Sequence, residues 1–183
     1  LEICGALGVP TLVIAPDFLG PFSPTDIERA QVSLKLAGET AEKHGVQIAL
    51  EFQARGTFLN NLETAVSFVD SVAQPNVGIC FDVFHYYMGP SKFEDLAYLS
   101  VGNLFHVQLC DVADTARELA TDTDRILPGD GDFRLQPLIE RFRAIGYKGY
   151  VSLEVMNPTF WQVSARQVGE VGLTALRMAL GLT

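Results

Sequence analysis

The sequence predicts an α/β chain built as a TIM (β/α)8 barrel, of which about five strand–helix units are present. Three observations predict it. Strand-like segments begin near Thr11, Val46, Val77, Leu104 and Tyr150, roughly 35, 31, 27 and 46 residues apart, which is a βα period. The last four of these segments carry an aliphatic face and a small or polar face. An acidic or amide side chain recurs in the later half of each, on the polar face.

Taken in order, Leu1 to Val9 reads as the tail of a helix that precedes the strand at Thr11. Ser23-Pro-Thr-Asp26 carries helix-capping chemistry and opens a long helix that stops at His44-Gly45. In the strand from Val46, alternation puts Ile48, Leu50 and Phe52 on one face and Ala49, Glu51 and Gln53 on the other. Asn60-Asn-Leu-Glu63 resembles a capping box and starts the next helix. The strand from Val77 divides into Ile79 and Phe81 against Gly78, Cys80 and Asp82. The strand from Leu104 divides into Phe105, Val107 and Leu109 against His106, Gln108 and Cys110. Helical spacing over Leu135 to Ile145 ends at Gly146, and Ser164 to Leu180 forms a closing helix. Between these two helices, Val151, Leu153 and Val155 oppose Ser152 and Glu154. Glu63, Glu94 and Asp95 fall in helical stretches and read as solvated faces.

An open doubly wound sheet is covered by helices on both sides, so its central strands are apolar on both faces. Strands with one polar face suit a closed barrel, whose helices cover only the outside and whose site lies at the C-terminal strand ends. A barrel needs eight units, so residues 1–183 are expected to be a single barrel domain with about three N-terminal units missing. Its first and last strands would then have open edges unless further chain or a partner covers them. A homo-oligomer is expected.

Composition narrows the function. The chain has 183 residues, 48% of them hydrophobic, enough for one well-packed core. A net charge of −9 argues against nucleic acid, whose binding faces are basic. No apolar run reaches membrane-spanning length. Cys4, Cys80 and Cys110 are odd in number and lack the spacing of a zinc knuckle, so they read as reduced thiols in a cytoplasmic protein.

Charge on a core-directed face is costly unless it is paired or holds a metal. Glu51, Asp82, Gln108 and Glu154 repeat that feature on four strands and so mark a site. Three carboxylates and an amide oxygen suit one hard divalent ion, Mn²⁺ or Mg²⁺ before Co²⁺ or Zn²⁺. Such an ion grips the carbonyl and neighbouring hydroxyl of a sugar-like substrate and acidifies the adjacent C–H. A flanking carboxylate then moves the proton, which gives isomerisation or epimerisation through an enediolate. Expulsion of a β-hydroxyl gives dehydration on the same scaffold.

The order Leu-Glu-Phe (50–52), Phe-Asp-Val-Phe-His (81–85), His-Val-Gln-Leu-Cys-Asp (106–111), Arg-Ile-Leu-Pro-Gly-Asp-Gly-Asp (125–132) and Gly-Tyr-Lys-Gly-Tyr-Val-Ser-Leu-Glu-Val (146–155) resembles the xylose isomerase-like TIM barrels. This sugar phosphate isomerase/epimerase superfamily also includes hydroxypyruvate isomerase, ketose 3-epimerases, inosose and 3-dehydroshikimate dehydratases and apurinic endonucleases. The resemblance implies a metal held by Glu51, Asp82, Gln108 and Glu154, with Glu51 and Glu154 doubling as the catalytic acid/base pair. It implies that His85 and Arg125 bind substrate, with His106 deeper on the same face in support. Gln108, where many members have His, favours the hydroxypyruvate isomerase and 3-dehydroshikimate dehydratase types over the ketose 3-epimerases. Endonucleases of the superfamily gather several metals with many histidines, and this chain has His44, His85 and His106 alone.

Some alternatives stay open. His106 can serve as a structural hydrogen-bonding group, and Arg125 as a surface ion pair. Gly129-Asp-Gly131 by itself is a turn, Phe84 to Met88 is either pocket wall or packing beneath a loop, and Trp161 lines either the mouth of the site or a lid. The expected reading is a metal-dependent isomerase or epimerase of a small sugar or keto-polyol, with a dehydratase as the alternative.

Overall fold

The computed structural model describes residues 1–17 and 20–182. Its centre is a parallel sheet of five strands: β1 (Thr11–Ile14), β2 (Gln47–Glu51), β3 (Val77–Asp82), β4 (Leu104–Leu109) and β5 (Val151–Leu153). Their spatial order is β1-β2-β3-β4-β5, so each crossover moves one strand onward in the same direction. A doubly wound sheet reverses direction at its midpoint. An unbroken march is the arc of a barrel, and the chain is a five-stranded half-barrel.

Helices coat the outer face. They are α1 (Glu2–Leu7), α2 (Pro24–Glu42), α3 (Leu62–Val72), the short α4 (Val83–Met88), α5 (Leu135–Ala144) and α6 (Ala165–Ala179). Ser23 caps α2 in a full box: its hydroxyl accepts from Asp26 N, and Asp26 accepts from Ser23 N. Past the end of α2 the chain turns at Gly45, φ 67°, a conformation that glycine adopts at little cost. At α3 the cap is Asn61, whose Oδ1 accepts from Thr64 N at 3.0 Å. Glu63 lies one residue too early to close the box, which corrects the reading of that motif.

The outer strand side chains Ile48, Leu50, Phe52, Ile79, Phe81, Val107 and Leu109 are buried against Leu62, Val66, Val69, Leu138, Ile139 and Phe142 from the helices. Phe81 anchors this layer, edge-on to Phe52 at 5.9 Å and to Phe142 at 5.1 Å between ring centroids.

One strand departs from simple alternation. The β3–β4 register shifts between Ile79, which pairs with Leu104, and Cys80, which pairs with His106. The extra residue is Phe105. Its ring stands where a side chain on Gly78 would project, 2.7 Å from that ideal Cβ position. Phe105 was expected on the aliphatic face; the bulge carries it to the inner face, where it floors the barrel below Cys80. Asp95 also departs from expectation: it is buried, and its Oδ2 accepts from Lys92 N at 2.8 Å.

Among the described residues β1 pairs with β2 alone and β5 with β4 alone, so both outer edges of the described sheet are open. Flanking helices expose Ile3, Leu7, Val171, Leu173 and Met178. Among the described residues, no helix is long and apolar enough to cross a membrane.

Candidate metal and acid–base site

The parallel register sets the inner side chains in a row along the C-terminal rim of the sheet. Glu51 closes β2 and pairs with Cys80 of β3. Asp82 closes β3 and pairs with Gln108, which in turn pairs with Ser152 of β5. Glu154 lies just beyond β5, and its N–H continues the ladder to Leu109 O at 3.1 Å. The row is therefore Glu51, Asp82, Gln108, Glu154, one group from each strand, with a carboxylate at both ends.

Asp82 also caps α4. Its Oδ1 accepts from Phe84 N at 2.6 Å and from His85 N at 3.4 Å, which turns the chain sharply and brings the His85 ring to Glu51. His85 Nε2 lies 3.5 Å from Glu51 Oε1. Potential ligand atoms of Glu51, Asp82 and His85 all fall within 4.8 Å of one another, and Glu154 does not join that close group. Ala54 N donates to His85 Nδ1 at 3.5 Å, so the neutral ring carries its proton on Nε2. Burial holds the His85 pKa below its ordinary value, which keeps the ring neutral. In this tautomer His85 offers a donor to Glu51 or to a substrate oxygen, and no lone pair on Nε2 to a metal.

Arg125 lies behind the row. Its Nη1 donates to Asp82 Oδ2 at 2.8 Å, and its Nε and Nη2 reach Asp122 Oδ1 at 2.9 and 2.8 Å. The guanidinium packs over Phe84, 4.3 Å from the ring centroid, and Arg125 is only 1% exposed. It is a buried pair, not a surface one. One edge of the guanidinium is given to Asp122, whose side chain is half-exposed.

The remaining sequence candidates separate by depth. Gln108 Oε1 accepts from the Cys80 thiol at 3.0 Å. His106, one layer deeper, shares a 2.9 Å hydrogen bond between Nε2 and Ser152 Oγ. Phe84 to Met88 divides between the two expected roles: His85 faces the site beside Glu51, Phe84 and Tyr87 pack under the loop between β4 and α5 through Arg125 and Phe133, and Tyr86 lies on Phe81. Trp161 is exposed.

The electrostatics are those of crowded, desolvated acids. Burial first, then Asp82 and Glu154, push the Glu51 pKa up to about 8. Burial and then Asp82 raise Glu154 as well. The Cys80 thiol is driven far up by burial, then by Glu51, Asp82 and Glu154, so it stays a protonated donor. Glu154 Oε2 is buried without a hydrogen-bond partner among the described residues. Glu51, Asp82 and Glu154 raise one another's cost of ionisation, and the one buried guanidinium, Arg125, is shared by Asp82 and Asp122, so a divalent cation would relieve the crowding. An orphaned acceptor and an all-oxygen donor set fit such an ion.

One organiser was not singled out from the sequence. Asp111 is buried, and its carboxylate gathers the loop that carries Arg125. Oδ1 accepts from Val112 N and Phe133 N at 2.9 Å each, and Oδ2 accepts from Gly129 N at 3.0 Å. A backbone bridge between Asp111 and Ile126 completes the fold-back. The signal was the Gly-Asp-Gly turn: a Cβ on Gly131 would stand 2.5 Å from Asp111 Oδ1, so only glycine lets the loop wrap so closely.

A sequence model of the xylose isomerase-like TIM barrel family matches residues 1–175. An inosose isomerase of Halalkalibacterium halodurans is 30% identical over 170 residues, covering 91% of this chain and 60% of that protein. A 3-dehydroshikimate dehydratase of Pseudomonas putida is 30% identical over 148 residues, 78% of this chain and 23% of that protein. Among solved structures, the IOLI protein with a bound zinc atom superimposes with a TM-score of 0.90 at 27% identity, covering 98% of this chain and 66% of that one. The chain thus spans about three fifths of the length of the inosose isomerase it matches.

Proposed function

The chain belongs to the xylose isomerase-like TIM barrel family, and from that premise we propose that it carries the metal and acid–base half of an isomerase or epimerase for a small keto-polyol. The substrate class we favour is a cyclic keto-polyol of the inosose kind, in keeping with relatives named inosose isomerase. Reaction proceeds by proton transfer through an enediolate.

The observation that carries this reading is the row of Glu51, Asp82, Gln108 and Glu154 along one rim, ending in the unpartnered Glu154 Oε2. These four side chains would hold one divalent ion. Their oxygen donors suit Mn²⁺ or Mg²⁺, with Co²⁺ or Zn²⁺ as alternatives. When bound, the ion polarises the substrate carbonyl and so acidifies the neighbouring C–H.

The protein's own groups do the rest. Glu51 and Glu154 flank the substrate from opposite ends of the row, so one removes a proton from carbon and the other returns it. His85 donates from Nε2 to a substrate oxygen beside Glu51. Arg125 holds Asp82 fixed from behind and reaches substrate through the guanidinium edge now given to Asp122. His106 supports the floor through Ser152. The free thiols of Cys4, Cys80 and Cys110 accord with a cytoplasmic setting.

Dehydration is the second reading. The relative named 3-dehydroshikimate dehydratase favours it, and Gln108 suits that type as well as the hydroxypyruvate isomerase type. The same C–H proton leaves, and a β-hydroxyl departs as water.

Solvent deuterium exchange tests the proposal. Full-length protein with Mn²⁺ should exchange the C–H next to the carbonyl of a keto-polyol in D₂O, as read by NMR. Exchange with isomer formation supports the isomerase, and exchange with a new C=C absorbance supports the dehydratase. No exchange on either substrate class contradicts both.

A further inference from the structure

Cys80 is fully buried at the middle of β3, on the inner face below the proposed metal site. Glu51 is its register partner on one side and His106 on the other, and Asp82 stands two residues along on the same face. Its thiol therefore lies at the floor of the row, and among the described residues it is the one hydrogen-bond partner of the Gln108 amide. Sulfur acts here as a donor and not as a ligand, because its proton is given to Gln108 Oε1.

We propose that Cys80 is a positioning residue whose thiol proton selects the oxygen end of the Gln108 amide for the ion. This inference rests on the proposed metal site. An amide can present either oxygen or NH₂, and only the oxygen ligates a cation. In a row of carboxylates the NH₂ end is the one electrostatically drawn inward, toward Asp82 and the unpartnered Glu154 Oε2. The thiol opposes that turn, because its S–H, though a weak donor, is already directed at Oε1, and its sulfur is a poor acceptor for an NH₂ turned toward it. One lone pair of Oε1 takes the S–H and the other remains for the ion. Outer partners of metal ligands commonly act in this way, and their loss weakens metal binding by about 10–100-fold.

The test is Mn²⁺ affinity, measured on full-length wild type, Cys80→Ala, Cys80→Ser, Gln108→Glu and the Cys80→Ala/Gln108→Glu double variant. Circular dichroism and the melting temperature of each metal-free protein verify folding. Cys80→Ala should bind Mn²⁺ at least about tenfold more weakly, and Cys80→Ser, which keeps a donor, should stay within about threefold of wild type. With Glu at 108 both head atoms are oxygen, so adding Cys80→Ala should change affinity by less than about threefold. A merely structural cysteine would weaken binding equally in both backgrounds, and that result overturns the proposal. So does wild-type affinity in Cys80→Ala. Wild type that takes up no metal would instead overturn the metal site itself, and this inference with it.

Discussion

Arg125 Nη1 donates to Asp82 Oδ2 at 2.8 Å, and the pair is sealed so completely that neither side chain is more than 1% exposed. Asp82 thereby does three things at once: it caps α4, neutralises Arg125 and stands in the row of proposed ligands. The loop carrying Arg125 is long and charged, yet Asp111 pins it so that the guanidinium arrives against Asp82 and Phe84 and not in solvent.

Removal of Arg125 leaves a buried carboxylate without its partner. Arg125→Ala should cost roughly 3–5 kcal/mol of stability, the usual penalty for breaking a buried pair from one side. Urea unfolding of the metal-free protein measures it. A loss below about 1 kcal/mol, typical of surface pairs, would contradict the buried arrangement.

Glu154→Gln removes one acid of the proposed pair and one charge from a crowded site. Turnover should fall by about two to four orders of magnitude, the range for a lost general acid or base. The metal-free variant should be at least as stable as wild type, because Glu154 Oε2 has no partner to lose. Steady-state kinetics and thermal melting check the two halves, and full activity would remove Glu154 from the chemistry.

Stability should depend on pH in a direction set by Glu51. Its folded pKa is raised from 4.5 to about 8, so its contribution is fully present below 4.5 and is lost as pH rises through 8. The metal-free protein should therefore lose stability across that window. Mn²⁺ should restore most at the alkaline end, because the ion needs the deprotonated ligand. Melting temperatures with and without Mn²⁺ across this range test the claim, and a metal-induced shift that does not grow with pH contradicts it.

Gly78→Ala probes the bulge. The new methyl would meet Asn103 O and the Phe105 ring at 2.7 Å, and the backbone oxygen has nowhere to go. The expected cost is about 1–3 kcal/mol, as for other overpacked positions. Wild-type stability in that variant would mean that Phe105 does not floor the barrel.

The row of Glu51, Asp82, Gln108 and Glu154 was legible because strand alternation has a period of two and all four side chains fall on the same beat. The barrel was legible for a related reason: only strands with one polar face leave room for an inner site. Phe105 broke the pattern because a bulge is a property of two strands pairing, and one strand's sequence does not announce it. Asp95 misled because a helical acid reads as solvated until the backbone it caps is known. Arg125 and Asp111 needed the tertiary fold: their partners lie 43 and up to 22 residues away, across a loop without periodicity.

Divalent-metal content per chain tests the central claim most directly, by elemental analysis of full-length protein purified without chelator. About one Mn, Mg, Co or Zn per chain is expected, lowered in Glu154→Gln and in Asp82→Asn. A metal-free protein that also fails to take up Mn²⁺ would contradict it, and would leave Glu51, Asp82, Gln108 and Glu154 as a structural set.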